Sequence, residues 1–179
     1  MRNLWINLHL YLAAFLAPCL LVMAISGGLY LVGIKGTLTS TPVSVPAGTV
    51  IDLGSPSLEA DVRALLRQLG IAYEFEYVRK SGSRLLTRPT SRTYYEMALA
   101  DDTLEVTRHV PDLQKCLIEL HKGHGPLLFK DFQKILAVGV LFIVFSGLRL
   151  GLSSPGLRTR TIVTGFGGLA LFVLLAFGM

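Results

Sequence analysis

NLHLYLAAFLAPCLLVMAISGGLYLVG, residues Asn7 to Gly33, decides the fold of this chain. No Asp, Glu, Lys or Arg interrupts the run from Leu8 to Ile34, and about 20 predominantly apolar residues are enough to cross the hydrocarbon core of a bilayer. The run is longer than the ~7–15-residue apolar core of a secretory signal. It therefore reads as an anchor, although Arg2 precedes it and small residues gather between Ala24 and Gly28. A second phrase echoes the first: ELHKGHGPLLFKDFQKILAVGVLFIVFSGLRLGL, residues Glu119 to Leu152. Each phrase opens with Leu-His, continues through a membrane-length apolar stretch and closes with Ser-Gly-Gly-Leu or Ser-Gly-Leu.

Leu127–Leu152 reads as a second span. Its Lys130, Asp131 and Lys134 lie near one end and Arg149 near the other, where long side chains reach the headgroups. Thr161–Met179 is uncharged and supplies a third. A mean hydropathy of +0.55 and 51% apolar residues over 179 positions agree with a membrane protein. The net charge of +5 belongs to the flanks: Lys35–Lys115 holds ten basic and ten acidic residues, so the excess lies outside that segment. A basic balance located at span ends points to membrane lipid and not to nucleic acid. Arg2, Arg149, Arg158 and Arg160 gather without an acid at one set of span ends. The positive-inside rule then places the N-terminus in the cytoplasm and residues 35–125 outside it.

The middle reads as a small α+β domain. The Thr-, Ser-, Pro- and Gly-rich stretch after Lys35 has no helical period and reads as a linker. Ser55-Pro56 is the expected helix start, Leu58, Val62, Leu65, Leu66 and Leu69 recur at helical spacing, and Gly70 stops the helix. The period then becomes two, with Ile71, Tyr73, Phe75 and Tyr77 on one face, expected to pack beneath the helix. Strands over Arg84–Arg88, Thr93–Leu99 and Leu104–His109 follow, the last two joined through Ala100–Thr103. Pro111–Lys122 reads as a short interfacial helix, and His109 as a solvated strand end.

The expected organisation is a first span over 1–34, a linker over 35–54, the domain over 55–110 and the interfacial helix over 111–125. A second span over 126–152, a hairpin over 153–160 and a third span over 161–179 complete it. The fold class is thus membrane α-helical, with three transmembrane helices and a domain of one helix plus three or four antiparallel strands.

This arrangement resembles the PepSY-associated transmembrane family. The residues that carry the resemblance are Leu8-His9 with Gly27-Gly28-Leu29, then Leu120-His121, the following apolar run, and Ser146-Gly147-Leu148. The resemblance implies a multi-pass protein of the bacterial inner membrane whose domain is an extracytoplasmic PepSY-like module. It also implies association with iron or siderophore uptake, ferric-siderophore reduction or respiratory complexes. In the family's reductase-like members histidines hold b-type haem, which makes His9, His121 and His124 the candidate haem ligands here. This chain departs from those members in its length, its three spans and its four histidines.

The histidines can be weighed directly. His9 opens the first span and His121 and His124 precede the second, so their opposed phrases place them at opposite ends of the hydrocarbon core, roughly 30 Å apart. One copy does not bring two of them to one iron. His121 and His124 share a face if helical and suit a metal, with Cys116 and Glu119 nearby, but Gly123 and Gly125-Pro126 break the helix. Cys19 and Cys116 fall at different depths and do not form a disulfide framework. Small residues offer another use of the phrases. Ala13, Ala17, Ala24 and Gly28 form one stripe, and Thr164 with Gly168 a small-xxx-small pair, both suited to close helix packing.

No Walker-type loop, G-x-S-x-G or H-E-x-x-H is present, and no residue is assigned as catalytic. Two functions follow. One is an inner-membrane accessory subunit that packs against a larger redox, respiratory or iron-uptake assembly and contacts other subunits through its domain. The other is a b-type haem electron carrier in ferric or ferric-siderophore reduction, with the haem shared between chains.

Overall fold

The computed structural model describes residues 2–100 and 103–178. In chain order the elements are α1 (Arg2–Leu31), β1 (Leu38–Val43), α2 (Leu58–Gln68), β2 (Tyr77–Ser81), β3 (Arg84–Arg88), β4 (Tyr94–Ala100), β5 (Thr103–Pro111), α3 (Leu113–His121), α4 (Leu127–Leu152) and α5 (Arg158–Phe177). Asp101 and Asp102, in the expected turn between β4 and β5, lie outside the described residues. Two compact units emerge, one from residues 1–20 with 134–179, the other from residues 21–133.

Among the described residues, α1, α4 and α5 are long and apolar enough to cross a membrane, with mean hydropathies of 2.2, 2.3 and 1.8. Their lengths of 30, 26 and 20 residues meet the bilayer requirement. Pro18 lies inside α1, where it removes one backbone donor to the carbonyl of Ala14. The third helix starts at Arg158, three residues before the uncharged run, so both hairpin arginines belong to its first turn.

In the unit of residues 21–133, one antiparallel sheet runs in the order β1-β5-β4-β3-β2. The expectation of three or four strands is corrected to five. The fifth comes from the supposed linker: β1 pairs with β5 along its whole length, from Leu38 opposite Pro111 to Val43 opposite Val106. An edge strand bonds on one side only, which is why Pro42 is tolerated there.

A second correction concerns Ile71–Glu76, which is not a strand. Gly70 at φ +73 ends α2, and the following segment sends Ile71, Tyr73 and Phe75 into the core without a full ladder partner. The strand begins at Tyr77, opposite Arg88, and Tyr77 contacts Lys130 and not the α2 core. The helix start also moves: α2 opens at Leu58, the Ser57 side chain bonds the Asp61 carboxylate and caps no backbone donor, and Ser55 Oγ donates to that carboxylate while accepting from the Ser57 N–H.

Val62, Leu65 and Leu66 of α2 meet Ile51, Phe75, Leu85, Tyr95, Met97, Leu104 and Val106 in one core. Alternation along the strands puts Arg88, Tyr94, Glu96 and His109 on the other face. Pro111 ends β5, and Asp112 caps α3 by accepting from the Lys115 N–H at 2.7 Å.

Candidate functional site

The histidine of each phrase meets the Ser-Gly of the other. In the unit of residues 1–20 and 134–179, His9 Nδ1 lies 2.8 Å from Ser146 Oγ. Ser146 is 2% exposed, and its hydroxyl donates to the Ile143 carbonyl at 3.1 Å. When that single proton goes to Ile143, it is a His9 Nδ1–H that donates to Ser146 Oγ, and the lone pair of the neutral ring is on Nε2. A Cβ on Gly147 would stand 3.3 Å from His9 Cε1, so glycine admits the ring edge. Farther along the same pair of helices, buried Leu16 fills the space left by Gly139, where a Cβ would meet Leu16 Cδ1 at 2.6 Å. Trp5 stacks on Phe142 at 6.0 Å, with the Arg149 guanidinium 4.5 Å from its ring centre.

The same motif recurs in the unit of residues 21–133. Ser26 is 1% exposed and donates to the Met23 carbonyl at 3.1 Å. A Cβ on the adjacent Gly27 would lie 3.7 Å from His121 Cε1. Gln114 Nε2 ties α3 to α1 by donating to the carbonyls of Ser26 and Ile34. A groove of about 470 Å³ opens here between Tyr30, Leu31, Ile118, His121 and Lys122.

The packing stripe expected on α1 is only partly in contact. Ala13 and Ala17 are half-buried and Ala24 and Gly28 exposed, while Leu16 and Ser26 are the buried residues. On α5, Thr164 and Gly168 are both exposed. The Thr164 hydroxyl donates to the Arg160 carbonyl at 2.7 Å.

His121 and His124 part company. The helix ends at His121, Gly123 turns the chain at φ +75, and His124 folds back onto Glu119. The Glu119 carboxylate is buried and accepts from His124 Nδ1 at 2.7 Å, Thr90 Oγ1 at 2.9 Å and Lys122 Nζ at 3.1 Å, with Lys115 Nζ at 3.4 Å. Arg88, 5% exposed, donates to the Thr90 hydroxyl at 2.8 Å. Burial pushes the Glu119 carboxyl up, but the hydrogen bonds from His124, Lys122 and Thr90 and the Lys122 charge outweigh it and hold the group at about 2. Burial pushes His124 below its ordinary value despite the Glu119 bond. The cluster joins α3, its C-terminal turn and the segment after β3. Among the described residues, no three His, Cys, Asp or Glu side chains form a metal-binding group. Cys19 and Cys116 are free thiols, and burial raises the Cys116 value.

His109 corrects the expectation of a solvated strand end: it is 8% exposed. Its Nδ1 lies 2.9 Å from Ser40 Oγ, its Nε2 3.3 Å from Glu96, and Tyr94 stacks on it at 4.8 Å. Burial pushes Tyr94 up to about 12, with the charges of Glu119 and Glu96 adding. Ser40, His109 and Glu96 stand on β1, β5 and β4, so the array fastens the edge strand to the sheet. Only strand register brings them together, and the sequence reading, having no β1, missed it.

Comparison with protein-family models, with curated proteins and with solved structures gives no match.

Proposed function

We propose that this chain is an accessory subunit of the bacterial inner membrane, of the PepSY-associated transmembrane kind. In this reading it packs against a larger redox, respiratory or iron-uptake assembly, with its N-terminus in the cytoplasm and the sheet domain outside. The observation that carries the reading is α5. None of its residues from Arg158 to Phe177 is buried, and Gly165, Gly167 and Gly168 have nothing within 4 Å of the place a Cβ would occupy. Small residues on a span permit close approach of another helix, and α5 keeps that approach open over Gly165–Gly168. The test is extraction from native membranes in a mild detergent, followed by sizing and identification of co-migrating chains. A stable larger complex is expected, and a lone monomer would overturn the reading.

A second reading, the haem-bearing electron carrier, draws on His9. A ring whose Nδ1 is held by Ser146 would offer Nε2 to a haem iron. His9 is the sole histidine in the sequence of residues 1–20 and 134–179, so that unit has no second imidazole of its own for a bis-histidine haem. In this reading the second imidazole comes from another chain. A reduced-minus-oxidised absorption spectrum of native protein separates the readings. A b-type signal abolished by His9→Ala supports the carrier, and no signal, or one that survives the substitution, rejects it.

A further inference from the structure

We infer that the arginine-bearing end of the unit formed by residues 1–20 and 134–179 is a binding surface for the phosphate of an anionic phospholipid. The proposal rests on the reading of α1, α4 and α5 as membrane spans. The sequence of that unit contains no Asp or Glu side chain. Four arginines, Arg2, Arg149, Arg158 and Arg160, are exposed there.

One ring contact, helix spacing and one close helix approach bring them to the same end. Arg2 precedes Trp5 by three residues on one helix face. Arg149 lies over the Trp5 ring at 4.5 Å. Two residues on, Gly151 abuts Thr161, where a Cβ would meet Thr161 Oγ1 at 2.5 Å, so the end of α4 lies against the α5 turn that carries Arg158 and Arg160. The α5 end is electropositive in its own right, since a helix N-terminus carries partial positive charge and Leu157 supplies no side-chain cap. Like charges gathered this way repel one another until an anion joins them.

The chemistry of that anion follows from the side chains. A guanidinium presents paired donors in a plane and binds phosphate oxygens two at a time, which an ammonium does not. The helices beneath the arginines expose Leu152, Ile162, Val163 and Phe166, which suit acyl chains, and a tryptophan beside the cations marks the headgroup level. A phosphodiester with apolar tails satisfies both halves. Free phosphate satisfies only the first.

The experiment uses the full chain in nanodiscs of phosphatidylcholine alone or mixed with phosphatidylglycerol, with native mass spectrometry of the lipid retained after release into detergent. We expect about 25-fold enrichment of phosphatidylglycerol, falling about fivefold for each arginine replaced at low salt, so that R158Q/R160Q approaches parity. These two side chains are exposed, and tryptophan fluorescence reports that the fold persists. R158K/R160K keeps the charge and removes the fork, and is expected to lose most of the enrichment. Equal retention of the two lipids by the natural chain would overturn the proposal, as would unaltered enrichment in either double variant. Displacement of the lipid by millimolar inorganic phosphate would show that the site takes the free ion and would also overturn it. Failure of the membrane reading itself would appear differently, as a chain that does not enter the discs at all.

Discussion

Glu119 stays charged in a place from which water is nearly excluded. Its folded value of about 2 lies below the ordinary 4.5, a difference corresponding to about 3 kcal/mol. A depressed carboxyl contributes fully above pH 4.5, and the contribution is lost as the pH falls through 2. His124 acts in the same direction. Its folded value lies below 6.5, so acid protonates it more readily in the unfolded chain, and stability declines as the pH falls through 6.5. The protection factors of the amides in α3 and β3, the intrinsic exchange rate at each pH divided by the observed rate, should therefore fall in two stages, below pH 6.5 and again below pH 4.5. Glu119→Gln should abolish the second stage. Glu119→Ala, which leaves Thr90 Oγ1 and His124 Nδ1 without their acceptor, should cost about 1–3 kcal/mol across neutral pH. His9 and Ser146 make a smaller claim. Ser146→Ala leaves the imidazole N–H without its acceptor and should cost about 0.6–1.7 kcal/mol, the range for bonds between membrane helices, read as a lower thermal midpoint in micelles. All four partners in the two helix crossings stood in the quoted phrases. What the sequence did not reveal was that the phrases face each other, because helix rotation and crossing depend on which ridges meet and not on spacing within one helix.

At the scale of elements, the long apolar helices and α2 were readable because each is specified by its own periodicity. β1 was not. Its Thr-, Ser- and Pro-rich residues resemble a loop, and its identity as a strand depends on β5, some 70 residues later in the pairing of Ser40 with His109. Ile71–Glu76 shows the converse, since alternation buried the right residues there while the absence of a paired neighbour kept the backbone out of the sheet. The passage from α1 to β1 depends on Gly36. Its φ is +70, and a Cβ would stand 2.4 Å from the Lys115 backbone nitrogen and 2.6 Å from the Asp112 carboxylate. Thr37 meanwhile donates from its N–H at 2.7 Å and its hydroxyl at 2.8 Å to that carboxylate. Those bonds, with the Lys115 N–H foremost, hold Asp112 below the ordinary carboxyl range. Gly36→Ala adds left-handed strain to a clash with backbone that does not yield, and should destabilise the unit by about 3 kcal/mol. Denaturant titration should show a lower midpoint, with exchange protection lost first in β1 because the edge strand is anchored through this turn.

Over the whole molecule, burial divides the three apolar helices unequally. α1 and α4 bury Leu16, Ser26, Leu136 and Ser146, whereas α5 buries nothing among its described residues. Intrinsic hydropathy does not distinguish the three, which explains why the sequence indicated their existence and not their partners. An open glycine face has two uses in a bilayer, contact with lipid or contact with another helix, and a large side chain discriminates between them. Gly168→Ile adds bulk where nothing in this chain lies within 4 Å, so the folded chain accommodates it, and its higher helix propensity should leave α5 at least as stable. If the face receives a partner helix, the substitution keeps the backbones apart and should weaken association by about tenfold or more. Exchange protection of the sheet domain and the thermal midpoint of the isolated chain should not change. Co-isolation from native membranes is the readout, and Thr164→Ile, one turn earlier on the same face, should reproduce the loss. Neither substitution would disturb a complex held together through the sheet domain alone, so retention of the partner by both variants would move the contact from α5 to the sheet.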